Sequence, residues 1–328
     1  MKLATFARDG AQRIGLVHAS DTAVFDLALA AQRNGSEVGP FRSMLDLIDG
    51  GDRALDDARA LFDSHRDERS FSHSLSDVEL LAPLPVPRQM RDAMSFPLHI
   101  LQGVRGSALQ LARESGDARE VARLQAEPLG ELPAVYRERP IYYITNRFSV
   151  AGPGAVVQWP RYSRLMDYEL ELGCITKGRA SNISAGNARD HIFGFTIYND
   201  FSARDAQRVE MQGRLGPAKG KSFDGGNVLG PWIVTPDEIG TPYGLRMSVR
   251  VNGELRCDTT SDGMLHSFEE IIAYVSRDET LMPGEFIGSG TVGNGCGLET
   301  GRFLEDGDAV ELEIEKIGKL ANVVRRRD

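Results

Sequence analysis

Apolar and polar positions change rhythm several times along the chain, and each change marks a predicted element. In KLATFARDGAQRIGLVHASDTAVFDL, short apolar segments are broken by Asp9-Gly10 and by a polar bend at 18–22, which predicts strands joined as hairpins. The interval then lengthens. Met44, Leu45 and Ile48, followed by Leu55, Ala58, Leu61 and Phe62, recur at helical spacing, so helices are expected over 41–47 and 53–62. Residues 104–126 are polar with a thin stripe of Ala108, Leu109, Leu111, Ala112, Val121 and Leu124, a weakly amphipathic helix that is either a solvated surface element or a mobile lid. Beyond YRERPIYYITNRFSVAGPG, short β segments and Gly/Pro punctuation dominate, which predicts a mainly antiparallel β architecture. One late helix is expected from Ser267, where Ser267-Phe268-Glu269-Glu270 has the form of a capping box ahead of Ile271, Ile272 and Val275.

The run Ala82-Pro83-Leu84-Pro85-Val86-Pro87-Arg88 is a stiff, extended linker, because each proline fixes φ and biases its predecessor away from helix. It divides the 328 residues into a small α+β N-terminal domain over 1–80 and a larger domain over 81–328. Just beyond the linker, Phe96-Pro97 makes QMRDAMSFPLHIL a poor place for a long helix. The fold class is α+β, mainly β.

Composition narrows the function. Hydrophobic residues at 41% and charged residues at 26% describe a soluble globular protein. A net charge of −9 argues against nucleic acid, which demands a basic footprint. No apolar run approaches the ~20 residues that span a bilayer, and Lys2, Arg8, Asp9 and Arg13 occupy the place of a signal-peptide core, so no membrane partner and a cytoplasmic location are expected. Cys174, Cys257 and Cys296 are odd in number and widely spaced, fitting neither a disulfide framework nor a zinc motif; they are expected as buried small side chains.

The candidate chemistry lies in DYELELG. Strand alternation puts Glu169 and Glu171 on one sheet face and Tyr168, Leu170 and Leu172 on the other, which is half of a metal site. A second strand-like run, Phe193 to Tyr198, ends in Asn199-Asp200 and offers a third carboxylate. Such hard oxygen ligands suit Mg²⁺, Mn²⁺ or Ca²⁺ and not Zn²⁺. Alternation alone is weak support, because Glu311, Glu313 and Glu315 in VELEIEK alternate equally well where a solvated sheet face is expected. The difference is the company: Asp200, Ser202, Arg204, Asp205, Gln207, Lys219 and Lys221 mix acids and bases at a strand end and a loop, as an anionic substrate bridging to a metal requires, or as a surface ion-pair network presents. Asp167 shares the parity of the two glutamates and is either a further ligand or a structural partner. IGSGTVGNGCGLET lacks the Lys-Ser/Thr ending of a P-loop, so a nucleotide is not expected.

These segments resemble the fumarylacetoacetate hydrolase family. DYELELG at 167–173, HIFGFTIYNDFSARDAQ at 191–207 and GKSFDGGNVLGPWIV at 220–234 carry the resemblance, RDAMSFPLH at 91–99 and SGT at 289–291 support it, and it spans roughly residues 80 to 315. It implies a mixed β-sandwich/β-roll catalytic domain, a lid region at about 95–140 and a homodimer. It further implies a divalent metal, Mg²⁺ with Mn²⁺ or Ca²⁺ as alternatives, held by Glu169, Glu171 and Asp200 and completed by Asp92, which lies seven residues before His99. By the same resemblance His99 is the general base for water, and Lys221, Arg204 and Gln207 contact substrate or steady developing negative charge; Thr291 lies on the substrate side. Decarboxylase-like members pair the lid histidine with a glutamate three residues later, where this chain has Gln102, whereas fumarylacetoacetase draws that glutamate from a late segment, where Glu299 stands here. The implied activity is catabolic hydrolysis of a C–C bond in a small β-dicarbonyl acid, a 2,4-dioxo acid such as an acylpyruvate. A decarboxylase, hydratase or isomerase using the same enolate chemistry is the alternative. Met94 and Met211 stand where fumarylacetoacetase has tyrosines, so a different substrate is expected.

Overall fold

Asp9 and Gly10 both adopt left-handed φ angles, 51° and 76°, the geometry that a tight hairpin turn demands. In the computed structural model, which describes residues 1–327, this turn joins the strands Lys2–Arg8 and Ala11–Val17 in antiparallel register. Lys2–Arg8 also pairs with Asn227–Val234, so the N-terminal strands continue a 12-stranded sheet. From Asn227–Val234 the sheet runs through Ile192–Asp200, Leu170–Thr176, Phe286–Gly288 and Met90–Ala93 to Tyr142–Ile144. A second, five-stranded sheet is ordered Glu254–Thr260, Arg246–Val251, Ala309–Ile314, Gly318–Arg326 and Val156–Trp159.

Two apolar clusters cover the large sheet. On one face Leu170, Leu172, Cys174, Phe195, Ile197 and Trp232 join Val249, Leu312, Leu320 and Val324 of the smaller sheet. On the other, Ile175, Phe193, Tyr198, Leu229 and Ile233 join Leu27, Met44, Leu47, Ala58 and Leu61 from the N-terminal helices Leu27–Arg33, Met44–Asp49 and Gly51–His65. The central strands are therefore buried on both faces, which is why IFGFTIY is continuously apolar.

The late helix Phe268–Val275 forms with its capping box closed by Ser267 and Glu270, and the three cysteines are buried and free. The expectation at Phe96-Pro97 is corrected: an 18-residue helix, Pro97–Glu114, starts there. Pro97 occupies the first helical turn, where its missing N–H costs nothing and its fixed φ is already helical. The single weak helix expected over 104–126 is in fact two pieces, broken at Gly116 with φ 73°. His99, Ile100, Gly106, Leu109 and Ala112 anchor the first piece, and Ala118–Ala126 buries no residue. No helix among the described residues is long and apolar enough to cross a membrane.

Candidate active site

The site forms where Leu170–Thr176 begins and Ile192–Asp200 ends. Their register sets Leu170 against Asn199 and Glu171 against Tyr198, so Asp200 arrives beside the two glutamates. By alternation Glu171 shares a face with Ile175, Asp200 with Tyr198 and Asp92 with Met90, three residues of one apolar cluster. Between Glu171 and Asp92 runs the strand Phe286–Gly288, whose last residue pairs with both Gly173 and Asp92. A Cβ on Gly288 would collide with the Asp92 carboxylate and lie 3.0 Å from Glu171, so glycine leaves the space in which the two acids converge.

Asp92, Glu171 and Asp200 bring carboxylate oxygens within 4.8 Å of one another, and all three residues are buried. Lys221 is wedged beside them: its Nζ lies 2.6 Å from Asp200 Oδ2 and also donates to Glu169. Arg204 Nη1 is 2.7 Å from Glu169, and its Nε donates to Asp167 at 2.7 Å. The Tyr143 hydroxyl donates to Asp200 Oδ2 at 2.6 Å. Glu171 accepts from the Gly290 amide at 3.1 Å and the Thr291 hydroxyl at 3.2 Å. Asp200 Oδ1 is buried without a hydrogen-bond partner.

Charge is unevenly shared in this cluster. For Glu169 the cost of burial is overcome by Lys221 and Arg204, which hold its carboxyl at about 2. For Glu171, burial and then the neighbouring Asp92 push the carboxyl well above its ordinary range; for Asp92, burial and then Asp200 do the same. Lys221 and Arg204 make their ion pairs with Glu169, Asp200 and Asp167, and among the described residues no cationic side chain pairs with Asp92 or Glu171. All-oxygen donors, the unpartnered Asp200 Oδ1 and the space over Gly288 fit a hard divalent cation such as Mg²⁺ or Mn²⁺ there.

His99 comes from the first turns of Pro97–Glu114 and is 6% exposed. Its Nδ1 lies 3.0 Å from Glu299 Oε1, while Glu299 Oε2 accepts from the Cys296 amide at 3.0 Å. A carboxylate facing Nδ1 favours the proton on that nitrogen and leaves the Nε2 lone pair free.

The ten residues expected at the site lie in this region, but the compact carboxylate group is Asp92, Glu171 and Asp200, while Glu169 is paired with Lys221 and Arg204, and Gln207 and Thr291 hold other side chains of the site. Gln207 accepts from Arg204 Nη1 at 3.0 Å, and Thr291 holds Glu171. Asp167 stands apart from the carboxylate cluster: it accepts from Arg204 and from the amides of Gly297 and Leu298 at 2.7 and 2.8 Å, tying the site to the short helix that carries Glu299. Gln102 pairs with Asn294 instead of His99. Tyr143 and Gly288 escape sequence reasoning. The YYIT segment has no motif around Tyr143, and the one signal at Gly288 is its place at the head of the SGT passage.

The family description "Fumarylacetoacetate (FAA) hydrolase C-terminal" matches residues 110–325. The chain belongs to the fumarylacetoacetate hydrolase family. Among its members it is 31% identical to oxaloacetate tautomerase YisK of Bacillus subtilis over 330 residues, 99% of this chain and 100% of that one. It is similar to the solved fumarylacetoacetate hydrolase of Exiguobacterium antarcticum, with TM-score 0.73, 28% identity and 100% of both chains covered. The maleylpyruvate hydrolase of Sphingobium sp. SYK-6, solved with manganese(II) and pyruvate, shares the fold at TM-score 0.71 and 21% identity over 100% of both chains. Tautomerases and hydrolases thus use one scaffold, and family membership defines an enzyme architecture and not one reaction.

Proposed function

We propose that this enzyme hydrolyses a C–C bond in a small 2,4-dioxo acid, of which an acylpyruvate is the simplest, with the help of a divalent cation. The observation that carries this reading is the buried His99–Glu299 pair at 3.0 Å, a base with its own orienting carboxylate, separate from the Asp92–Glu171–Asp200 cluster. Asp92, Glu169, Glu171 and Asp200 would hold Mg²⁺ or Mn²⁺, which when bound supplies Lewis-acid polarisation of the substrate oxygens.

His99 Nε2 takes a proton from water as the water oxygen attacks the carbonyl remote from the carboxylate, and Glu299 stabilises the imidazolium that results. The C–C bond of the tetrahedral species then breaks. Its electron pair passes into the pyruvate half as an enolate, the other half leaves as a carboxylic acid, and a proton returned to the enolate carbon completes pyruvate. Lys221 and Arg204 place fixed positive charge beside the position where negative charge develops. Gln207 holds the Arg204 fork, and the Thr291 and Tyr143 hydroxyls hold Glu171 and Asp200.

A second reading, keto–enol tautomerisation of an oxaloacetate-like acid, is favoured by the full-length similarity to YisK, 31% identical over 99% of this chain. The same base would then move a proton between carbon and oxygen, and no water would be consumed. One experiment separates them: acylpyruvates and enol-oxaloacetate are each incubated with enzyme and Mg²⁺ or Mn²⁺, following acid release and enol decay. Hydrolysis predicts pyruvate plus a carboxylic acid, with turnover reduced about 10²–10⁴-fold in His99→Asn. Rapid enol decay with no dioxo acid cleaved would replace the first reading by the second.

A further inference from the structure

We propose that His99, Cys296 and Glu299 form a second, softer metal site that takes Zn²⁺ and shuts off the enzyme. Each residue offers one ligand atom, and the three atoms lie within 4.8 Å of one another. His99 and Cys296 are buried, and the Glu299 side chain is fully shielded. Imidazole nitrogen, thiolate sulfur and carboxylate oxygen are the donors that Zn²⁺ prefers, and three of them around an open fourth position is a common zinc arrangement. Zinc bonds of about 2.0–2.3 Å place neighbouring donors roughly 3.3–3.8 Å apart, so small side-chain rotations close the set.

The contrast with the neighbouring cluster is one of hardness. Asp92, Glu171 and Asp200 present oxygen alone, whereas the second cluster adds nitrogen and sulfur, so its preference for Zn²⁺ over Mg²⁺ is the stronger of the two. The two sites adjoin, since Cys296 and Glu169 form a backbone bridge. On binding, the Cys296 thiol gives up its proton to solvent and its sulfur takes a bond to zinc; nothing is oxidised or reduced. Either ring nitrogen of His99 committed to the ion leaves none free to accept a proton. This inhibitory consequence rests on the role proposed above for His99; the metal binding does not.

The experiment uses Co²⁺ as a spectroscopic substitute for Zn²⁺. Enzyme held in excess Mg²⁺ is titrated with Co²⁺ while the near-ultraviolet thiolate-to-cobalt charge-transfer band is followed. In parallel, Zn²⁺ inhibition is measured at the same Mg²⁺ concentration. The wild type is expected to develop the band at one equivalent. Cys296→Ala, whose side chain takes no part in the proposed reaction, should lack the band and need at least about tenfold more Zn²⁺ for half-inhibition. Cys296→Ser provides the same comparison with a closer match in size should the alanine variant fail to fold. No band in the wild type, or an equal band in the variants, overturns the site. A band that depends on Cys296 but leaves turnover unaffected by Zn²⁺ overturns the inhibition and with it the role of His99 as base.

Discussion

Two stretches of this chain carry glutamates at every second position, and they have opposite fates. In VELEIEK, Val310, Leu312 and Ile314 enter the core while Glu311 and Glu313 turn outward, with side chains 34% and 47% exposed and the exposed Lys319 2.9 Å from Glu311. In DYELELG, Glu169 and Glu171 are 4% and 0% exposed. The two strands have the same rhythm and differ in what lies over their polar face: solvent over one, helices and the Ser289–Thr291 loop over the other. Alternation assigns a face, and the covering layer decides whether carboxylates on it are a solvated surface or a site. An exposed pair is worth about 0–1 kcal/mol, whereas buried carboxylates must meet cations, donors or protons.

The largest test of this contrast removes the cation that pairs with each set of glutamates. Lys221→Met strips the charge between Glu169 and Asp200, and is expected to lower stability by about 3–5 kcal/mol in denaturant unfolding. Turnover should fall by about 10²–10³-fold. Lys319→Met, on the strand Gly318–Arg326 that pairs with the exposed one, should shift stability by less than about 1 kcal/mol and leave turnover alone. Equal losses in the two variants would abolish the distinction.

A smaller effect is expected from Gly288→Ala, which forces a methyl group into the Asp92–Glu171 approach. Overpacking of this kind costs about 1–3 kcal/mol, and Mn²⁺ affinity by calorimetric titration should drop about 10–100-fold. Unchanged Mn²⁺ affinity would mean that the convergence of these two acids is unrelated to cation binding. Smallest of all, Glu313→Gln should stay within about 0.5 kcal/mol of wild type in thermal unfolding. A larger loss would show that the exposed strand is not the inert control it is taken to be.

The parts legible in the sequence are those written locally. The Asp9-Gly10 hairpin, the Ser267–Glu270 capping box and the shared face of Glu169 and Glu171 all follow from residues a few positions apart. Pro97 was misread because its effect depends on position: inside a helix it breaks hydrogen bonding, and in the first turn it does not. The burial of DYELELG was not written in its own rhythm, because the layer covering it comes from distant segments. The pairing of His99 with Glu299, 200 positions apart, came into view only through the family resemblance, since no periodicity links such distant residues. Tyr143 and Gly288 act through sheet neighbours that only the strand order reveals.

The central claim is that Asp92, Glu171 and Asp200 are converging carboxyl groups arranged for a divalent cation. Thermal unfolding of wild type and Glu171→Gln, each with and without Mn²⁺, tests it most directly. Without the cation the variant should melt at or above wild type, because a neutral amide avoids the cost that burial and then the neighbouring Asp92 place on an ionised carboxylate at this position. With Mn²⁺ at a hundred times the wild-type dissociation constant, wild type should gain about 2.7 kcal/mol and the variant far less. A variant that melts lower without Mn²⁺ and gains as much as wild type with it would contradict the account.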